Sequence, residues 1–177
     1  MYSQSSSALK EADSALIRDL ANVAKAVKKA IGERPVKDDP KFAAVRKATV
    51  GTPLVVRSKD GKDAYWLVPL LMADKTCGFA QVEKNLKVSI VGSFGANSED
   101  RGSWVDASFF ERPPLEVVNT IKARYPEMEM SEPFFSYDKS PAKWGWMVRL
   151  KDGRRITVFI NPAGWYEQTE RDGTIEG

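Results

Sequence analysis

Apolar residues recur at helical spacing from Ala8 to Ile31. Leu9, Leu16, Leu20, Val23 and Val27 fall on one stripe, with Ala12, Ala24 and Ala30 on or beside it. That spacing predicts an amphipathic helix of about 24 residues, roughly 36 Å long at the usual rise. Glu11, Asp13 and Asp19 lie toward its start, and Lys25, Lys28 and Lys29 toward its end. This order complements the helix dipole. Gly32 is placed to cap the helix and Pro35 to stop it. Residues 1–34 therefore read as an N-terminal helix after a short Ser-rich start.

The period then shortens. Lys41–Lys47 predicts a short helix, and Leu54–Arg57 a strand followed by an Asp60-Gly61 turn. Ala64–Met72 reads as a buried strand, with Pro69 marking an edge or a bulge. Gly78–Val82 and Leu86–Ser93 are two further strands. The polar loop at residues 95–102 is a candidate boundary, and Trp104–Phe110 reads as extended. Pro113-Pro114 opens a second helix carrying Leu115, Val118 and Ile121 on one stripe, and Tyr125-Pro126 ends it. Strands follow at Pro133–Tyr137, Trp144–Leu150, Arg155–Ile160 and Trp165–Gln168, with an Asp152-Gly153 hairpin signal between the second and third.

Two stretches repeat one design. Residues 65–83 and 144–168 each run from an aromatic-led apolar strand through a polar turn to a second strand and a Gly-aromatic step. The resulting fold class is α+β, with helices packed on curved antiparallel sheet; the pattern is that of a tandem duplication of one unit, and the two copies either share one continuous sheet or sit as tandem bodies. The expected units are residues 41–94 and 103–168, with a loose tail at 169–177.

The second copy resembles the PepSY family and its cystatin-like relatives. The carrying residues are Val158, Ile160, Pro162 and Gly164, with Ala163 where the family's phrase has threonine. The resemblance covers residues 113–168. Residues 41–83 match more weakly, keeping Gly78, Phe79 and the strand flanks without the proline turn. It implies a binding, inhibitory or regulatory module, often of the cell envelope, and no catalytic residues.

The chain is 42% hydrophobic by composition, enough for a packed core. A formal charge of +3 permits an acidic partner without demanding one. Histidine is absent, which removes the commonest general base and the usual zinc ligand. The single Cys77 can form neither an intrachain disulfide nor a cysteine metal site, and without a histidine base it reads as structural. No apolar run is long enough to span a membrane, so the chain reads as soluble. The compartment stays open between cytoplasm and envelope, the latter if a signal peptide has been removed. No cofactor or metal is expected.

Asp100, Asp106 and Glu111 are the one carboxylate grouping for acid–base or metal chemistry, and their spacing follows no known site logic. Residues 92–95 lack the lysine–serine pair of a phosphate loop. Trp144 and Trp146 beside Lys143, Arg149, Lys151, Arg154 and Arg155 could stack and clamp nucleic acid, but their shared parity suits a core face better. The leading reading is a non-catalytic protein- or peptide-binding module. Its candidate contact residues are Trp104, Phe109, Phe110, Phe134, Trp144, Trp146, Arg149, Trp165 and Tyr166, since aromatics beside arginines make interface anchors. The alternatives are a ligand-binding protein or enzyme with a cavity in the sheet, Asp106 or Tyr65 converging inside it, and a nucleic-acid binder. A homodimer is open, given the long first helix.

Overall fold

The computed structural model describes residues 19–59, 62–95, 100–140, 143–151 and 155–170. The chain divides into two units. Unit one holds residues 1–54 and 65–107, and unit two holds residues 55–64 and 108–177. Residues 8–18 of the expected first helix, residues 96–99 of the expected boundary loop, the 60–61 and 152–153 turns, and the end of the tail lie outside the described residues.

Unit one is built on helix α1, described over residues 19–31. Val23, Val27 and Ile31, spaced by four, are its buried stripe. A 3-10 turn at Pro40–Phe42, with the Asp39 side chain accepting from the Lys41 N–H at 3.0 Å, leads into α2 (Ala43–Lys47). Strands β1 (Thr49–Val50), β3 (Asp63–Met72), β4 (Lys75–Val82), β5 (Val88–Ser93) and β6 (Val105–Asp106) form this unit's ladders, β3 having begun in unit two. Helix α2 approaches β4 over Gly78. A Cβ there would meet the Gly92 carbonyl oxygen at 2.3 Å and Val45 Cγ2 at 2.8 Å, so only glycine fits. The β3–β4 register slips between Leu70 and Leu71, leaving Cys77 as the extra residue of a bulge. The bulge turns its thiol into the core, where Sγ donates to the Leu70 carbonyl at 3.3 Å.

Pro69 lies in an interior strand. It pairs with Phe79 of β4, and its carbonyl accepts from the Gly51 N–H at 2.8 Å on the other side. The missing N–H therefore falls beside residues 51–53, where the chain passes between β1 and β2 (Leu54–Arg57) and no ladder runs.

Unit two places α3 (Ser108–Glu111) and α4 (Leu115–Arg124) before an antiparallel meander of β8 (Phe134–Tyr137), β9 (Trp144–Lys151), β10 (Arg155–Asn161) and β11 (Gly164–Glu170). The last turn closes as the sequence phrase requires. Asn161 pairs with Gly164, the Asn161 side chain accepts from the Ala163 N–H at 2.8 Å, and Gly164 takes a φ of 149°. A two-residue strand β7 (Glu129–Met130) pairs with the end of β9. Phe109 and Phe110 correct the extended segment expected at 104–110. They sit on the turn of α3, so both rings reach the core where a strand would have turned one away.

The hydrogen-bonded strand order is β11-β10-β9-β8-β2-β3-β4-β5. This corrects the curved antiparallel sheet expected from the sequence. The sheet is mixed, because β2 and β8 pair in parallel at Arg57 and Ser136, and its strand order does not close, since β11 and β5 are not paired with each other among the described residues. The Ser136 hydroxyl donates to the Arg57 carbonyl at 2.6 Å across 79 residues of sequence. A pairing that distant leaves no trace in local periodicity. The meander of unit one has three strands and that of unit two has four, and only the second is extended by a parallel strand.

Candidate docking groove

Helix α4 carries the apolar spacing Leu115, Val118, Ile121, yet only Ile121 is buried. Val118 is half-buried and Leu115 is 58% exposed, the most exposed large apolar side chain among the described residues. The uncovered part of the stripe is one wall of a groove of ≈ 500 Å³. Met128, Met130 and Pro133 belong to its other wall, and Pro113 and Pro126 flank the helix ends. Prolines fix that wall's backbone, while methionines leave it adaptable in shape. Lys122 projects from the helix wall and Glu132 from the facing segment. Both are exposed, and neither has an ion-pair partner among the described residues.

Beside the groove, the Arg124 guanidinium lies 5.7 Å from the ring centres of both Tyr125 and Trp165. Glu167 holds it, accepting from Tyr125 Oη at 2.7 Å and lying 3.3 Å from Arg124 Nη1. Trp165 is therefore a half-buried rim residue, fixed by helix α4.

The other expected contact residues divide sharply. Phe109, Phe110, Trp144 and Trp146 are buried with Phe135 in one aromatic cluster, whose ring centres lie 5.2 Å apart for Phe110–Trp144 and for Phe135–Trp146. The Trp146 N–H donates to the Phe109 carbonyl at 2.7 Å. Trp104 is buried in the core of unit one, with Arg101 over its ring. These five side chains are core, which corrects their assignment as contacts, and Trp144 and Trp146 do not offer the exposed faces that base stacking needs. Phe134 and Arg149 are half-buried and stacked on one another at 5.1 Å.

Tyr166, 37% exposed, belongs to a polar network away from the groove. Its hydroxyl donates to Asp138 Oδ2 at 2.6 Å, while Lys59 Nζ lies 3.6 Å from Asp138 Oδ1 and donates to Gln168 Oε1 at 2.8 Å. Burial pushes the Asp138 carboxyl up, but bonds from Tyr166 and Gln168 and the charges of Lys59 and Lys139 outweigh it and hold it below the usual range. Burial and the Asp138 carboxylate together push the Tyr166 phenol up to about 12. A carboxylate that stays ionised and a phenol that stays protonated exchange no proton near neutral pH, so the network is structural.

The remaining chemical candidates are separated. Asp106 is engaged by Lys75, Asp100 accepts from the Ser103 hydroxyl at 2.7 Å, and Glu111 is exposed on α3. Tyr65 is buried. Burial pushes the Cys77 thiol up to about 11, which keeps it a poor nucleophile. Among the described residues no three potential ligands converge on a metal position, and no helix is long and apolar enough to cross a membrane.

Sequence reasoning missed the groove. Its signal was present as four prolines and two methionines within residues 113–133, around a helix with a thin apolar stripe. The chain matches no protein family, no curated protein and no solved structure.

Proposed function

We propose that this protein is a non-catalytic peptide-binding module, and that the α4 groove takes a short apolar segment of a partner protein. The carrying observation is Leu115, held 58% exposed at the mouth of a methionine- and proline-walled groove. Isolated exposed leucines are ordinary, but one that continues into a groove of this size marks a recognition surface. Lys122 and Glu132 on facing walls define the occupant further. A segment with an apolar centre, one acidic flank and one basic flank satisfies both charges and binds in one direction. Arg124, Tyr125 and Trp165 supply the residue types that dominate interface energies at the rim. Occlusion of a partner's segment is how such a module inhibits or regulates. The resemblance of residues 113–168 to PepSY-like domains favours the same reading.

Selection from a displayed peptide library tests it. The expected outcome is enrichment of apolar sequences with opposite charges on either side, lost with Leu115→Lys. The double reversal Lys122→Glu with Glu132→Lys inverts the charge order selected. Peptides that bind Leu115→Lys as well as the parent protein would sink the proposal.

A further inference from the structure

We infer that strand β5 is a second recognition site, which accepts an extended, uncharged peptide strand with an acidic C-terminal end. β5 ends the strand order, and no strand pairs with its far side among the described residues. The Phe94 N–H donates to the Cys77 carbonyl at 2.8 Å, so Phe94, Gly92 and Ile90 turn their backbone groups toward β4. The alternation of an antiparallel ladder then turns those of Val91 and Ser93 outward. An extended backbone can pair with both.

Edge strands are commonly blunted by charge, proline or bulges. From Val88 to Ser93 there is no charge and no proline, and the one bulge lies at Ser89, before the outward pair. At the opposite end of the order, β11 carries Glu167 and Glu170. β5 also borders a cleft of ≈ 300 Å³, whose facing wall includes Ala30, Pro35, Val36 and Phe42. Apolar side chains of an entering strand could extend along this wall.

Charge sets the direction. Lys84 and Lys87, both exposed, lie just before the strand and have no ion-pair partner among the described residues, with Glu83 the single acid of that turn. A strand entering antiparallel to β5 places its C-terminal end there, so a terminal acidic residue meets two lysines.

The probe is a fluorescein-labelled peptide of alternating threonine and valine ending in aspartate, with the same peptide ending in lysine as control, read by anisotropy. Wild type is expected to prefer the aspartate probe. Val91→Pro removes an outward N–H and leaves the β4 ladder intact, so it should keep the native circular dichroism and weaken binding about tenfold or more. Lys84→Glu with Lys87→Glu, both on the surface, should reverse the preference and decides the matter if Val91→Pro fails to fold. Leu115→Lys, in the other unit, should bind the probe normally. Absence of probe binding overturns the inference, as does a folded Val91→Pro that binds like wild type. So does a wild-type dimer in sedimentation that Val91→Pro converts to monomer, since a second copy would then occupy the edge.

Discussion

Helices α1 and α4 carry the same kind of apolar spacing and meet opposite fates. Val23, Val27 and Ile31 of α1 are all buried in the core of unit one, whereas α4 buries Ile121 and leaves Leu115 in solvent. Periodicity states which residues share a face, not what covers it. The cover of α1 comes from α2 and the β3–β5 strands, with thirteen buried side chains in that core. Unit two is held elsewhere, by the Phe109–Trp146 aromatic cluster and the Asp138 network, so α4 is anchored at one end only.

The most direct way to break this contrast is to cut the anchored end. Ile121→Ala should cost about 2–5 kcal/mol, as for any fully buried aliphatic side chain cut to alanine. Val27→Ala, losing one carbon fewer than the isoleucine truncation, should cost about 1–3 kcal/mol. Denaturant titration measures both. If Ile121→Ala cost less than half a kilocalorie, by the ordinary range for surface changes, α4 would not be anchored at all.

The second test asks whether unit two relies on its polar network. Tyr166→Phe should cost about 1–2 kcal/mol, because it removes a hydrogen bond to a buried charge. The sign with pH follows from both partners. The Asp138 carboxyl is held below its unfolded value, so its contribution is present above about pH 4 and is lost as pH falls further. The Tyr166 phenol is raised to about 12, so its contribution is full below about pH 10 and fades as pH rises toward 12. Thermal melts across pH should show wild type losing its advantage over Tyr166→Phe at both extremes. A difference independent of pH would mean that the network does not hold β11.

Local structure was legible where local physics decides it. Strand and helix positions from Leu54 to Gln168 follow their periods, Pro114 opens α4, and the Asn161–Gly164 phrase makes its turn. What failed was non-local. Phe109-Phe110 has strand character in isolation, but a helical turn delivers both rings to Phe135 and Trp144. The parallel β2–β8 pairing joins Arg57 to Ser136, and nothing near either residue announces the other. Five of the nine candidate contacts are buried for a related reason. A large aromatic is equally suited to a core and to an interface, so residue type alone could not separate Trp144, which is buried, from Trp165, which lies at the rim.

The smallest expected effect sharpens the contrast most. Leu115→Ala removes a large apolar side chain that is 58% exposed, so stability should move by no more than about 0.5 kcal/mol. The same substitution should cost peptide affinity, because Leu115 would be buried only in the complex. A residue that matters to binding and not to folding is the mark of an uncovered stripe kept for a partner. If Leu115→Ala instead destabilised the free protein as strongly as Ile121→Ala, the stripe would already be covered in solution, and α4 would stand with α1 as an ordinary packed helix.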